Sequence, residues 1–176
     1  MNRIEKSVKN LLEANSIVKP PVPVKNIAQQ LGAVIFFEPF EGKDDVSGIL
    51  FREGENKKII GINSSHHPNR QRFSIAHEIG HLILHNRDLF VDKVIKVNFR
   101  DSKSSQAIDK EEIAANAFAA ELLMPKAFIE TEISKIFKEK SVFSKEELIN
   151  YLANIFEVSS IAMEYRLTHL GIITSQ

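Results

Sequence analysis

The stretch Arg72-Phe73-Ser74-Ile75-Ala76-His77-Glu78-Ile79-Gly80-His81-Leu82-Ile83-Leu84-His85 decides how the rest of the chain is read. Pro68 precedes it, and the spacing predicts a helix from about Asn69 to His85, with Phe73, Ala76, Ile79, Gly80 and Ile83 on one apolar stripe. His77 and His81 then stand one turn apart on one face, where both imidazoles can bind a single cation. Glu78 lies beside the first of them and can reach water next to that cation without ligating it, the division of labour in H-E-x-x-H. The bland alternative is an amphipathic helix with two solvated histidines. Gly80 speaks against it. Glycine inside a helix costs about 1 kcal/mol relative to alanine, and close approach of another backbone element near the cation gives that residue a reason.

A catalytic zinc takes three protein ligands and keeps one position open. A third histidine six residues after His81 is excluded, because that position is Arg87. A neighbouring helix can supply a carboxylate instead. One is predicted from about Asp109 to Leu123, stopping at Pro125, with Glu111 and Glu112 near its start and Glu121 near its end. Glu112, Ala115, Asn116 and Ala119 share a face of small residues that lets two helices pack closely. Glu112 is therefore favoured as the third ligand, with Glu111 as the alternate, and spacing does not separate the two. The bland reading of either is a carboxylate favoured at a helix N-terminus. Asn116, one turn on, can orient a ligand by a hydrogen bond.

Composition fits this reading. The chain has 176 residues, 43% hydrophobic and 26% charged, as in an ordinary globular domain with enough chain for a sizeable core. It has no cysteine, so a disulfide framework and a thiolate metal site are both excluded. Lys+Arg and Asp+Glu each total 23, and this balance favours neither nucleic acid nor a membrane surface. The N-terminus lacks the apolar core of a signal peptide, and no apolar run approaches the ~18 residues that span a bilayer. A cytoplasmic location is expected.

Upstream, helices are predicted over residues 3–14 and from about Val24 to Leu31. Strands follow at Ala33–Phe37, Val46–Phe51 and Lys58–Ile62, the last two as a hairpin around Gly54. Residues 86–106 read as a long loop with an apolar patch at Leu89-Phe90-Val91 and a short strand at Val94–Val97. Further helices are expected near 126–137, 144–156 and 159–169. The fold class is thus α+β, with a small, about three-stranded, mainly antiparallel sheet and a helical C-terminal extension.

The helix quoted above resembles the signature helix of the ImmA/IrrE-type metallo-endopeptidases. The run Glu112-Ile113-Ala114-Ala115-Asn116-Ala117-Phe118-Ala119-Ala120-Glu121-Leu122-Leu123-Met124-Pro125 is similar to that family's second signature. Ala114 stands where a second acidic residue is frequent. The resemblance covers residues 1–125 and implies a zincin-like metallopeptidase domain there, with 126–176 as the extension. It implies a gluzincin-like site with His77, His81 and Glu112 as ligands of one Zn2+, for which Mn2+ or Fe2+ could substitute, and with Glu78 as the catalytic base. It also implies a protein substrate, a helix-turn-helix transcriptional repressor whose cleavage relieves repression.

The remaining histidines have plain readings. His85 falls one turn past His81 and reads as a solvated helix end or a cleft residue. His66 and His67 read as loop residues that could face an oxyanion, and His169 as structural. Val46–Phe51, with Gly48, is expected to be a sheet edge able to pair with an extended substrate. The break at Val158-Ser159-Ser160 makes 144–171 helix-turn-helix-like, but residues 141–176 hold two Lys/Arg against four Glu. A phosphate-binding face is basic, so direct nucleic-acid binding is not expected. Two other functions stay in view: a DNA-binding regulator with a structural metal, and a module that captures a repressor without cutting it.

Overall fold

The computed structural model describes residues 2–54, 57–85, 89–93, 106–138 and 144–174, with backbone alone at 89–93 and 106–109. The strand expected at Val94–Val97 lies outside the described residues. The chain divides into two compact units, one of Pro23–Ala119 and one of Met1–Val22 together with Ala120–Gln176.

The first unit carries a four-stranded sheet. Its elements are α2 (Val24–Gln30), β1 (Ala33–Glu38), β2 (Val46–Glu53), β3 (Lys57–Asn63), α3 (Pro68–Leu84), β4 (Leu89–Lys93) and the greater part of α4 (Gln106–Leu123). The strand order is β1-β3-β2-β4. β2 runs antiparallel to both β3 and β4, but β1 runs parallel to β3, with Ala33 opposite Lys58 and Phe37 opposite Ile62. The expectation of a small, mainly antiparallel sheet holds for two of the three pairings, but the sheet is mixed because β1 runs parallel, and Leu89–Lys93, expected as loop, adds a further strand. The reason is tertiary, since β2 supplies the pairing that a five-residue run cannot reveal by itself. The expected edge strand is also corrected. β2 lies between β3 and β4, so among the described residues the edges of the sheet are β1 and β4.

α3 packs on β2 and β3. The inward side chains Leu50, Ile60 and Ile62 meet a helix whose Ile75, Ala76 and Ile79 are also fully buried. Each large aliphatic side chain removed from water contributes roughly 1.5–3 kcal/mol. All eight residues from Ser74 to His81 are buried, so the middle of α3 is enclosed on every side and not on one stripe alone. Both helix ends are secured. Pro68 occupies the first turn, where no donor is lost, and the His67 ring nitrogen accepts from the Asn69 N–H at 3.2 Å. At the other end the Arg52 guanidinium donates to the carbonyls of His85 at 3.1 Å and Leu82 at 3.3 Å, in the last turn where helix carbonyls point outward.

The second unit is helical: α1 (Arg3–Ala14), the end of α4, α5 (Lys126–Lys138), α6 (Lys145–Phe156) and α7 (Ser160–His169). Capping boxes start α1, through Asn2 and Glu5, and α6, through Ser144 and Glu147. Ser159 caps α7. α6 and α7 pack together, with Leu152, Phe156, Met163 and Leu167 in the unit's core. Arg166 is buried there. Its Nε donates to the Met124 carbonyl at 3.0 Å, and its guanidinium pairs with Glu121. No helix among the described residues is long and apolar enough to cross a membrane.

Candidate metal centre

Helix spacing and one close crossing build the site. α3 places His77 and His81 on successive turns, their rings 4.6 Å apart and edge to face. α4 crosses next to them at Gly80, where an added Cβ would lie 3.1 Å from Ala115 Cα and 3.2 Å from its carbonyl oxygen. Because the helices approach so closely, a carboxylate one turn before Asn116 reaches the imidazole pair. Glu112 Oε2 stands 3.1 Å from His77 Nε2, and Oε1 stands 3.3 Å from His81 Nε2. The two Nε2 atoms are 2.9 Å apart. Among the described residues His77, His81 and Glu112 form the group of donors able to hold one ion, and Glu111 is not part of it.

His77 Nδ1 lies 3.0 Å from Asn116 Oδ1. An amide oxygen only accepts, so Nδ1 donates; in the neutral ring Nε2 is then the lone pair open to an ion, and without an ion a proton on Nε2 is what bonds the Glu112 carboxylate. Burial is the largest influence on His81 and lowers its pKa; the Glu112 carboxylate opposes this, and the net stays below the ordinary 6.5. The neutral, lone-pair form of His81 is thus favoured. Burial also pushes the Glu112 carboxyl up, but hydrogen bonds to His77 and His81 outweigh it and hold that group down to about 2. The carboxylate stays charged at neutral pH.

Two imidazole nitrogens and a carboxylate oxygen crowded to 2.9–3.3 Å repel one another unless something positive sits among them. Neighbouring donors of a tetrahedral zinc with bonds of about 2.1 Å stand roughly 3.4 Å apart, so closing on an ion asks for shifts of at most about half an ångström. The residues fit a divalent cation. The donor set contains no sulfur, which suits zinc and also admits manganese or iron.

Glu78 is fully buried on α3 beside these donors. Facing it is β2 at Gly48, where an added Cβ would come within 2.7 Å of Glu78 Oε1. Gly48 was legible only as a glycine inside a strand, a sign of close approach without its object. The other sequence candidates take ordinary places. His67 caps α3, and His66 Nε2 lies 3.2 Å from the Asp44 carbonyl in a loop. The His85 ring stands 5.4 Å from that of His81, at the end of α3. His169 closes α7 in the other unit.

Residues 28–168 match the family described as the IrrE N-terminal-like domain. The metallopeptidase ImmA of Bacillus subtilis (strain 168) is 34% identical over 113 residues, covering 64% of this chain and 57% of that protein. The radiation response metalloprotease IrrE of Deinococcus radiodurans is 34% identical over 111 residues, covering 62% of this chain and 30% of that protein. A solved structure described as a Mycobacterium tuberculosis transcriptional regulator superposes with a TM-score of 0.62 at 14% identity, over 96% of this chain and 56% of that one, a likeness of fold alone. The chain thus spans 57% or less of the length of these relatives.

Proposed function

We propose that this chain, which belongs to the ImmA/IrrE family, is a zinc-dependent endopeptidase that cuts a protein partner, a helix-turn-helix transcriptional repressor, and so relieves repression. The observation that carries the reading is the convergence of His77 Nε2, His81 Nε2 and the Glu112 carboxylate within 2.9–3.3 Å of one another. In this reading those three residues hold one ion and leave a position open, and Glu78 is the catalytic base. Residues 1–125 form the zincin-like catalytic part, 126–176 are its helical extension, and the work is done in the cytoplasm, where such repressors act.

When bound, the ion supplies a Lewis acid that polarises the scissile carbonyl and acidifies water. Glu78, within the enclosed middle of α3, accepts a proton from the attacking water on its carboxylate and returns it to the leaving amine. His77 and His81 stay neutral and oriented, the former through the Nδ1–H donated to Asn116. Burial keeps bulk water from competing for the same groups.

The test is incubation of the purified chain with helix-turn-helix regulators, beginning with any encoded in adjacent genes, in zinc, in chelator, and in chelator followed by zinc. Cleavage in the first and third arms alone is the expected result. Intact regulator in every arm, from protein that carries one zinc, would leave a capture module as the better reading.

A further inference from the structure

β2 does something unusual opposite Glu78. Val46 pairs with Lys93 and Gly48 with Asp92, so Ser47 is an extra residue in β2. Successive residues of a regular strand face opposite sides of the sheet. Here Val46, Ser47 and Gly48 are all buried, and the last two both meet α3. Ser47 Oγ accepts from Arg70 Nε at 3.2 Å, and the Cα of Gly48 faces Ser74 and Glu78. The buried Asn63 side chain donates to the Val46 carbonyl at 3.0 Å and, through its own oxygen, accepts from the Ser65 N–H at 3.1 Å. The bulge is therefore clasped from two sides, by Asn63 of β3 and Arg70 of α3, and it presents the one residue type with no side chain to the carboxylate.

We propose that the Val46–Gly48 bulge positions Glu78, with Gly48 as the positioning residue that sets where the carboxylate sits beside the ion site. This rests on the peptidase reading given above. The physics is steric. A methyl group at residue 48 would stand 2.7 Å from Oε1 and 3.5 Å from Cδ of Glu78, and 3.5 Å from Ser74 Cβ. The first distance is too short for a real contact, while the others are ordinary. The carboxylate is the end of a rotatable side chain, so it yields and the strand does not. A base moved by a fraction of an ångström to an ångström loses its alignment with water and leaving group, although the ion and the fold remain. Bulges are enriched next to active sites because they re-aim what faces them.

Gly48→Ala, Glu78→Asp and the double variant test this against a regulator that the wild type cleaves. The expected result for Gly48→Ala is kcat down about tenfold or more with KM, zinc stoichiometry and melting temperature close to wild type. In the Gly48→Ala background the shorter Asp at 78 clears the methyl group, so that substitution costs several-fold less there than in wild type. The second readout needs no substrate: the carboxylate 13C resonance of Glu78, assigned by its loss in Glu78→Gln, shifts in Gly48→Ala. Wild-type kcat in Gly48→Ala, or costs that simply multiply in the double variant, overturns the proposal. If zinc-loaded wild type cuts nothing, the peptidase reading fails, and the resonance alone decides the positioning: a shift supports it and an unmoved resonance overturns it.

Discussion

Gly80 of α3 and Ala115 of α4 meet so closely that a single methyl group on the first would press on the backbone of the second, at 3.1 Å from its Cα and 3.2 Å from its carbonyl oxygen. Phe118 Cβ is also within 3.3 Å. The crossing brings Glu112 to the imidazole pair, so the spacing of two helix backbones and the spacing of three donors are one quantity.

Gly80→Ala is therefore expected to weaken binding of the proposed metal ion. Backbone is the obstacle, and α4 must move a few tenths of an ångström, which overpacking data put at about 1–3 kcal/mol. The better helix propensity of alanine offsets about 1 kcal/mol of this. Global stability should change little while zinc affinity drops about tenfold, measured by competition with a chromophoric chelator. Unchanged affinity would show that the crossing does not set the donor spacing.

Asn116→Ala removes the acceptor for His77 Nδ1–H. Loss of such an orienting partner typically lowers metal affinity 10–100-fold. Asn116→Asp keeps an acceptor and should retain affinity. Equal affinity in the alanine variant and the wild type would remove Asn116 from the site.

The pH dependence of the zinc-free protein has a definite sign. The Glu112 carboxyl is held down to about 2 against 4.5 for the ordinary group. Its contribution to folding is thus complete above about 4.5 and is lost as pH falls from there toward 2. The stability gap between wild type and Glu112→Gln, from thermal unfolding across that window, should widen as pH rises and then level off. A gap of the same size at both ends contradicts the assigned environment. His81 is lowered from 6.5, chiefly by burial, so its neutral form is favoured by folding, and stability from this source is lost as pH falls through the unfolded value of 6.5.

The Arg166–Glu121 pair belongs to the helical unit and not to the metal site. Arg166→Met leaves the Glu121 carboxylate and the Met124 carbonyl without their partner and should cost about 3 kcal/mol. Zinc affinity measured in the cold, where the variant stays folded, should match wild type. A fall in affinity without loss of stability would contradict a purely structural role.

Much of this was legible because it is local. Pro68 and the break at Val158-Ser159-Ser160 place the starts of α3 and α7 to within one or two residues. The i, i+4 spacing of His77 and His81, and the shared face of Glu112, Ala115 and Asn116, follow from helical period alone. What stayed hidden depends on partners distant in sequence. Leu89–Lys93 becomes a strand because β2 pairs with it. β1 runs parallel to β3, a choice no turn residue announces. The enclosure of α3 on every side masks the amphipathic pattern that periodicity looks for. The bulge at Ser47 turns a plain glycine into a neighbour of Glu78.

The most direct measurement is the rate at which zinc-loaded Glu78→Gln cuts a helix-turn-helix regulator, against wild type at equal zinc content. One bound zinc is expected in both proteins, with the variant slower by about 10²–10⁴-fold, the usual worth of a positioned acid–base group. Cleavage by the variant at the wild-type rate would contradict this.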